Sequence, residues 1–149
     1  MATTKHKLFI RWMNRRDMPE VLAIEQASND EPWAEDDFLK CLRERNCIGI
    51  VVAQGENVIG FSIYELQKGL LGIIRLSVHP AHRRRGIGKM ILEKLITKLS
   101  LARRNRLSTV ICETELAGQL FLRKNGFKAM KMIRGHFGSR DGIMMEYEL

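Results

Sequence analysis

Leu76-Ser77-Val78-His79-Pro80-Ala81-His82-Arg83-Arg84-Arg85-Gly86-Ile87-Gly88-Lys89 joins two kinds of pattern through a basic, glycine-bearing turn. Before it, Leu70 to Val78 reads as an apolar strand that Pro80 ends. After it, Ile87, Ile91, Leu95 and Leu99 recur every fourth residue, with Met90, Leu92 and Ile96 beside them. Lys89, Glu93, Thr97 and Lys98 fill the polar side, so the spacing predicts an amphipathic helix over about 86–104. Leu107 to Cys112 is a second apolar strand. A strand, a crossover helix and a strand in this succession make the two strands parallel neighbours.

The turn itself has a chemistry. The first amides of a helix lack partners inside the helix and carry partial positive charge, so a helix start attracts anions. Gly86 and Gly88 let a phosphate approach the backbone with no Cβ in the way. Arg83, Arg84, Arg85 and Lys89 add cations at the end where cations oppose the helix dipole. An anion resolves that conflict, and the segment reads as a phosphate or pyrophosphate site. It is not a dinucleotide fingerprint, because the third glycine and the following acidic residue are missing, and it is not a Walker loop.

Outward from this segment the chain reads as one domain of 149 residues. Residues 7–13 suggest a strand, and Asp17 a cap for a helix over about 17–28 with Pro19 in its first turn. A second helix spans about 34–46, and strands cover 47–53 and 58–66 around the turn Gln54-Gly55-Glu56-Asn57. A short helix over 115–124 ends at Asn125-Gly126. Strands over 127–133 and 143–149 flank a loop containing Gly135, Gly138, Ser139 and Gly142. The order is β-α-α-β-β-β-α-β-α-β-β: an α/β fold with a mixed, mostly antiparallel sheet of about seven strands and four helices.

Composition narrows the class. A hydrophobic share of 45% and a charged share of 28% suit a globular domain. No apolar run is long enough to span a bilayer, and Met1-Ala2-Thr3-Thr4-Lys5-His6-Lys7 lacks a signal-peptide stretch, so a cytoplasmic protein is expected. Cys41, Cys47 and Cys112 form no Cys-x-x-Cys pair and are odd in number, which argues against a disulfide framework or a structural zinc site. The net charge of +8 attracts anions without choosing among them.

The segment 76–89 resembles the acetyl-CoA motif of the GNAT N-acetyltransferases, Gln/Arg-x-x-Gly-x-Gly/Ala after an apolar-x-Val-x-Pro strand end. Leu116-Ala117-Gly118-Gln119-Leu120-Phe121-Leu122-Arg123-Lys124-Asn125-Gly126-Phe127 resembles the family's helix and Gly-Phe turn after the fifth strand. Glu31-Pro32-Trp33 and Asp141-Gly142-Ile143-Met144-Met145 are similar to the RimI-type enzymes, which acetylate a protein N-terminal amine. The resemblance implies the GNAT fold, with a central splayed parallel strand pair, and acetyl-CoA as cosubstrate without a metal. It implies that backbone amides of about Arg84 to Lys89, Ile87 included, hold the pyrophosphate, with Arg83 beside them. The strand Leu76-Ser77-Val78 would pair with the pantetheine arm as an added strand does. The acceptor would approach near 31–36 and 134–140.

Three family positions depart from the pattern. The usual base glutamate falls on Val110, the cofactor-holding asparagine on Glu115 and the general-acid tyrosine on Leu122. Glu113, near the strand end, and His136, in the late glycine-rich loop, are the substitute candidates for catalysis; Tyr64 is a remote one. Chemistry by alignment alone remains open to an α-amine, whose pKa near 7.7–8 leaves roughly a tenth of it neutral at pH 7, against below about a thousandth for lysine. The expected acceptor is therefore a protein or peptide N-terminus. The alternatives are a small-molecule amine and an acyl-CoA-binding module that has lost catalysis. A nucleic-acid-binding domain lacks a recognised motif here.

Overall fold

A computed structural model describes residues 7–149. The stretch read above for a targeting signal falls, apart from Lys7, outside the described residues. The elements are β1 (Leu8–Trp12), α1 (Met18–Ser28), α2 (Glu35–Leu42), β2 (Cys47–Gln54), β3 (Asn57–Gln67), β4 (Gly69–Val78), α3 (Ile87–Ile96), β5 (Arg104–Cys112), α4 (Leu116–Lys124), β6 (Lys128–Phe137) and β7 (Arg140–Glu148). Their succession is the one expected. The strands form a seven-stranded sheet in the order β1-β2-β3-β4-β5-β7-β6. No helix among the described residues is long and apolar enough to cross a membrane.

The chain divides into two compact units. One contains the described residues up to Tyr64 together with Arg75–Ile91; the other contains Glu65–Ile74 and Leu92–Leu149. In the first, β1 pairs antiparallel with β2 from Leu8↔Gln54 to Trp12↔Ile50. Val21, Ile24, Phe38, Ile50, Phe61 and Ile87 are buried there. Gly60 is a close-approach position: an added Cβ would lie 3.1 Å from the Ile87 side chain.

Asp17 does not cap α1 with its side chain. Its carboxylate accepts two hydrogen bonds from the Arg11 guanidinium, both 2.7 Å, and one from the Asn14 amide at 2.8 Å. Asn14 instead caps the short 3-10 turn Arg15–Asp17 that leads into the helix. The helix α2 ends at Leu42 rather than near residue 46. The amide of Glu44 bonds to Cys41 and that of Cys47 to Glu44, tight turns that lead the chain into β2.

In the second unit β4 and β5 pair in parallel over Gly69–Gly72 and Arg104–Ser108. The Thr109 hydroxyl then donates to the Ile73 carbonyl at 3.1 Å. β5 pairs antiparallel with β7, and β7 with β6. β6 stands last in the strand order and is exposed along its length, with only Ile133 half-buried. A register shift between Ala129 and Lys131 sets a bulge in it.

Two further expectations differ from the structure. The helix predicted to reach residue 104 stops at Ile96. The Thr97 hydroxyl donates to the Lys94 carbonyl at 2.6 Å, and the amides of Lys98 and Leu99 tighten onto Leu95 and Ile96, which winds the last turn shut. Leu99 keeps its buried place without being helical, and Arg104–Arg106 opens β5 instead of closing a helix. The glycine-rich stretch is not a long loop either. β6 and β7 run through it as a hairpin whose turn is Gly138-Ser139, with Gly135 and Gly138 at φ 65° and 71°.

Candidate active site

The basic turn belongs to the first unit. Arg83, Arg84, Arg85 and Gly86 are exposed, and α3 begins at Ile87. The first rung of the helix is the Met90 amide on the Gly86 carbonyl at 2.9 Å, so the amides of Ile87 and Gly88 lie ahead of the ladder. Two residues in the turn are left-handed, Gly86 at φ 77° and Arg84 at φ 63°. For arginine that conformation costs about 1 kcal/mol or more, and such strain collects where a loop must hold a shape for a ligand. Nothing lies within 4 Å of where a Gly86 Cβ would sit, so the backbone there faces open space. An anion can reach it.

Side chains hold the turn in place. Arg83 donates to the Val78 carbonyl at 3.3 Å and to the Ser28 hydroxyl at 3.0 Å. Arg85 lies 2.7 Å from His82 Nδ1. Burial, then the charge of Arg85 and the neighbouring His79, hold the His82 pKa below its ordinary value, which keeps its ring nitrogen able to accept that bond. His79 Nδ1 accepts from the Ala81 amide, fixing the turn just after β4. On β4, Ser77 is buried while Leu76 and Val78 are half-buried. Tyr64, the remote acid candidate, is 1% exposed, and burial pushes its phenol upward.

The catalytic candidates fall in the second unit. Glu113 follows the end of β5, and its carboxylate accepts a hydrogen bond from the Asp141 amide. Gln119 of α4 secures the same corner by donating to the carbonyls of Cys112 and Glu113 at 3.2 and 3.0 Å. His136 is an exposed residue of β6, not of a loop, and its ring meets Phe137 edge-on at 4.7 Å. Gly142 brings it close to the position of the missing base. A Cβ on Gly142 would lie 2.5 Å from Val110 Cγ1 and 3.1 Å from His136 Cβ. Glycine alone leaves room for both side chains at one place on the sheet. Leu122 is buried, and its carbonyl accepts from the Phe127 amide at the helix end, so it serves the core.

Two features here have no local sequence signal. Gln119 looks like any polar helix residue until the strand end is folded against it. Cys112 is a thiol whose pKa is lowered, first by hydrogen bonding to Thr114 and more weakly by Arg140.

The same fold recurs in known proteins. The profile of the acetyltransferase (GNAT) domain matches residues 45–129, more than half of the chain. A [ribosomal protein bS18]-alanine N-acetyltransferase of Salmonella typhimurium is 25% identical over 137 residues, covering 89% of this chain and 92% of its own. The crystal structure of the ribosomal-protein-S18-alanine N-acetyltransferase from Escherichia coli superposes with a TM-score of 0.84 at 22% identity, covering 95% and 94% of the two chains. Arabidopsis thaliana NAA60 in complex with acetyl-CoA gives 0.84 at 13% identity, covering 96% and 100%. The matched region takes in the whole basic turn and both strands of the parallel pair, and on that ground the chain belongs to the GNAT acetyltransferase family and is an acetyl-CoA-dependent N-acetyltransferase.

Proposed function

We propose that the chain, acting as one acetyltransferase domain, moves the acetyl group of acetyl-CoA to the N-terminal α-amine of a protein or peptide by direct attack in a ternary complex. The observation that carries this reading is the turn 83–89, whose left-handed residues leave the amides of Ile87 and Gly88 ahead of the first helical rung. Amides of Arg84 to Lys89 bind the pyrophosphate. Backbone groups of Leu76 and Val78 pair with the pantetheine arm. Acetyl-CoA supplies the activated thioester.

The α-amine acceptor is supported by the relative named for an alanine of ribosomal protein bS18. It is also supported by chemistry: with valine and leucine at the usual acid–base positions, an amine that is already partly neutral is the easier nucleophile. Residues 31–36 receive the acceptor. The Val78 amide stabilises the developing oxyanion. His136 takes the proton from the attacking amine, favoured over Glu113 because Gly142 sets it beside the face of Val110.

The test is acetylation of peptides that carry both an α-amine and an internal lysine, with the modified amine located by mass spectrometry over time. Faster turnover at the N-terminus is expected; faster turnover at lysine overturns the acceptor assignment. The second reading, an acyl-CoA-binding module without catalysis, is favoured by the core placement of Leu122. Acetyl-CoA binding with no turnover across peptides and small amines would establish it instead.

A further inference from the structure

Glu25 of α1 is fully buried, at 0% exposure, in the first unit. A buried carboxylate must be satisfied on every side. One oxygen of Glu25 accepts from the Asn29 side chain at 2.7 Å; the other accepts from the Trp33 amide at 2.9 Å. The second oxygen also lies 3.4 Å from Arg75 Nε on β4, an ion pair whose Nε is not in hydrogen-bonding geometry. The same guanidinium stands 4.5 Å from the centre of the Trp33 ring. Trp33 in turn meets Phe38 edge-on at 5.1 Å, and Phe38 meets Phe61 at 5.8 Å.

Among the described residues, Arg75 is therefore the cation that meets both the carboxylate binding the Trp33 amide and the face of the Trp33 ring. It is also the residue immediately before Leu76. A neutral side chain at position 75 would keep β4 but leave Glu25 buried without a countercharge and Trp33 without its cation. Both losses act on the segment between α1 and α2. An arginine suits this place because a planar guanidinium can stack on an indole while facing a carboxylate with its edge.

We propose that Arg75 is a positioning residue for the acceptor. It ties Trp33, and with it residues 31–36, to the strand that carries Leu76 and Val78, and so fixes the surface on which the acceptor peptide binds. This inference rests on the assignment of residues 31–36 to the acceptor.

The test compares wild type with Arg75→Met, Arg75→Lys and the double variant Glu25→Gln/Arg75→Met. The double variant removes the buried charge together with its partner, and so avoids the uncompensated buried carboxylate that the single change leaves. Peptide KM, kcat and acetyl-CoA Kd are measured separately, and amide hydrogen exchange is followed over residues 29–35. Arg75→Met and the double variant should raise the peptide KM about tenfold, with kcat and acetyl-CoA Kd within about twofold. Exchange at Trp33 should accelerate. Arg75→Lys, which keeps the charge and loses the plane, should fall between.

An unchanged peptide KM, or an acetyl-CoA Kd that rises in parallel with it, overturns the proposal. A raised KM with exchange at Trp33 unaltered overturns it too, since Arg75 would then act by another route. Absence of wild-type turnover on any peptide overturns the proposed function itself, and is distinguished by the wild-type control.

Discussion

Glu113 and Asp141 bond to each other twice: the Asp141 amide donates to the Glu113 carboxylate at 3.3 Å, and the Glu113 amide donates to the Asp141 carbonyl at 3.0 Å. The carboxylate thus has a structural task at the start of β7, which a glutamine oxygen can also perform. Glu113→Gln should keep acetyl transfer within about threefold, under about 0.7 kcal/mol. His136→Ala should lower kcat about 100-fold, the scale of losing a general base. Initial rates of thiol release decide between them. A collapse in Glu113→Gln with His136→Ala unaffected would exchange the two roles.

Gly86 is left-handed, and no atom lies within 4 Å of its missing Cβ. Gly86→Ala therefore meets a conformational penalty and no steric one, about 1 kcal/mol. The expected result is a folded protein whose acetyl-CoA Kd rises about fivefold to tenfold. Calorimetric titration with acetyl-CoA reads this directly. An unaltered Kd would mean that this backbone conformation does not place the amides proposed to bind the pyrophosphate.

The guanidinium of Arg11, hydrogen-bonded to Asp17, holds that carboxyl below the usual carboxylate range, aided by the Asn14 amide. A depressed folded-state pKa contributes stability above the ordinary value near 3.9, lost as pH falls through the lower folded-state value. Asp17→Asn should cost about 1.5–3 kcal/mol near neutral pH. The gap in Tm between wild type and variant should close below about pH 4. A gap that stays constant down to acid pH would show that the pair's charge contributes nothing to the fold.

The sulfurs of Cys41 and Cys47 lie 3.3 Å apart, although nothing in their spacing marks them as partners. Hydrogen peroxide should join them, two thiols and one peroxide giving a disulfide and two waters, seen as the loss of two hydrogens on non-reducing peptide mapping. Cys112, whose thiol is made more acidic by Thr114, should be the first alkylated by iodoacetamide. Peroxide that oxidises either thiol to sulfinic acid without the cross-link contradicts this expectation.

What was legible in the sequence is local. The turn 83–89 announces itself because glycine, arginine and an apolar period of about four residues sit next to one another. The end of α3 is not legible because Leu99 continues that period and is buried, yet a buried leucine need not be helical. The hairpin through Gly135 and Gly142 reads as a loop in the sequence because glycine marks both a loop and a place where two strands leave no room for Cβ. Arg75, Glu25 and Trp33 meet only in the folded chain, so Trp33 is legible as part of a motif while Arg75 and Glu25 read as ordinary strand and helix residues. The same holds for Gly142 between Val110 and His136.

β6 is the last strand of its sheet, and its outer edge carries backbone donors and acceptors that another strand could take up. Lys128, Lys131 and Arg134 stand at every third position along it, with the bulge after Ala129 breaking its straightness. Two such edges approaching each other would bring like charges together before a single rung could form. The cations of this strand thus bear on colloidal behaviour: exchanging them for threonine or valine would shorten the time a concentrated solution stays clear, with the fold of each molecule unchanged.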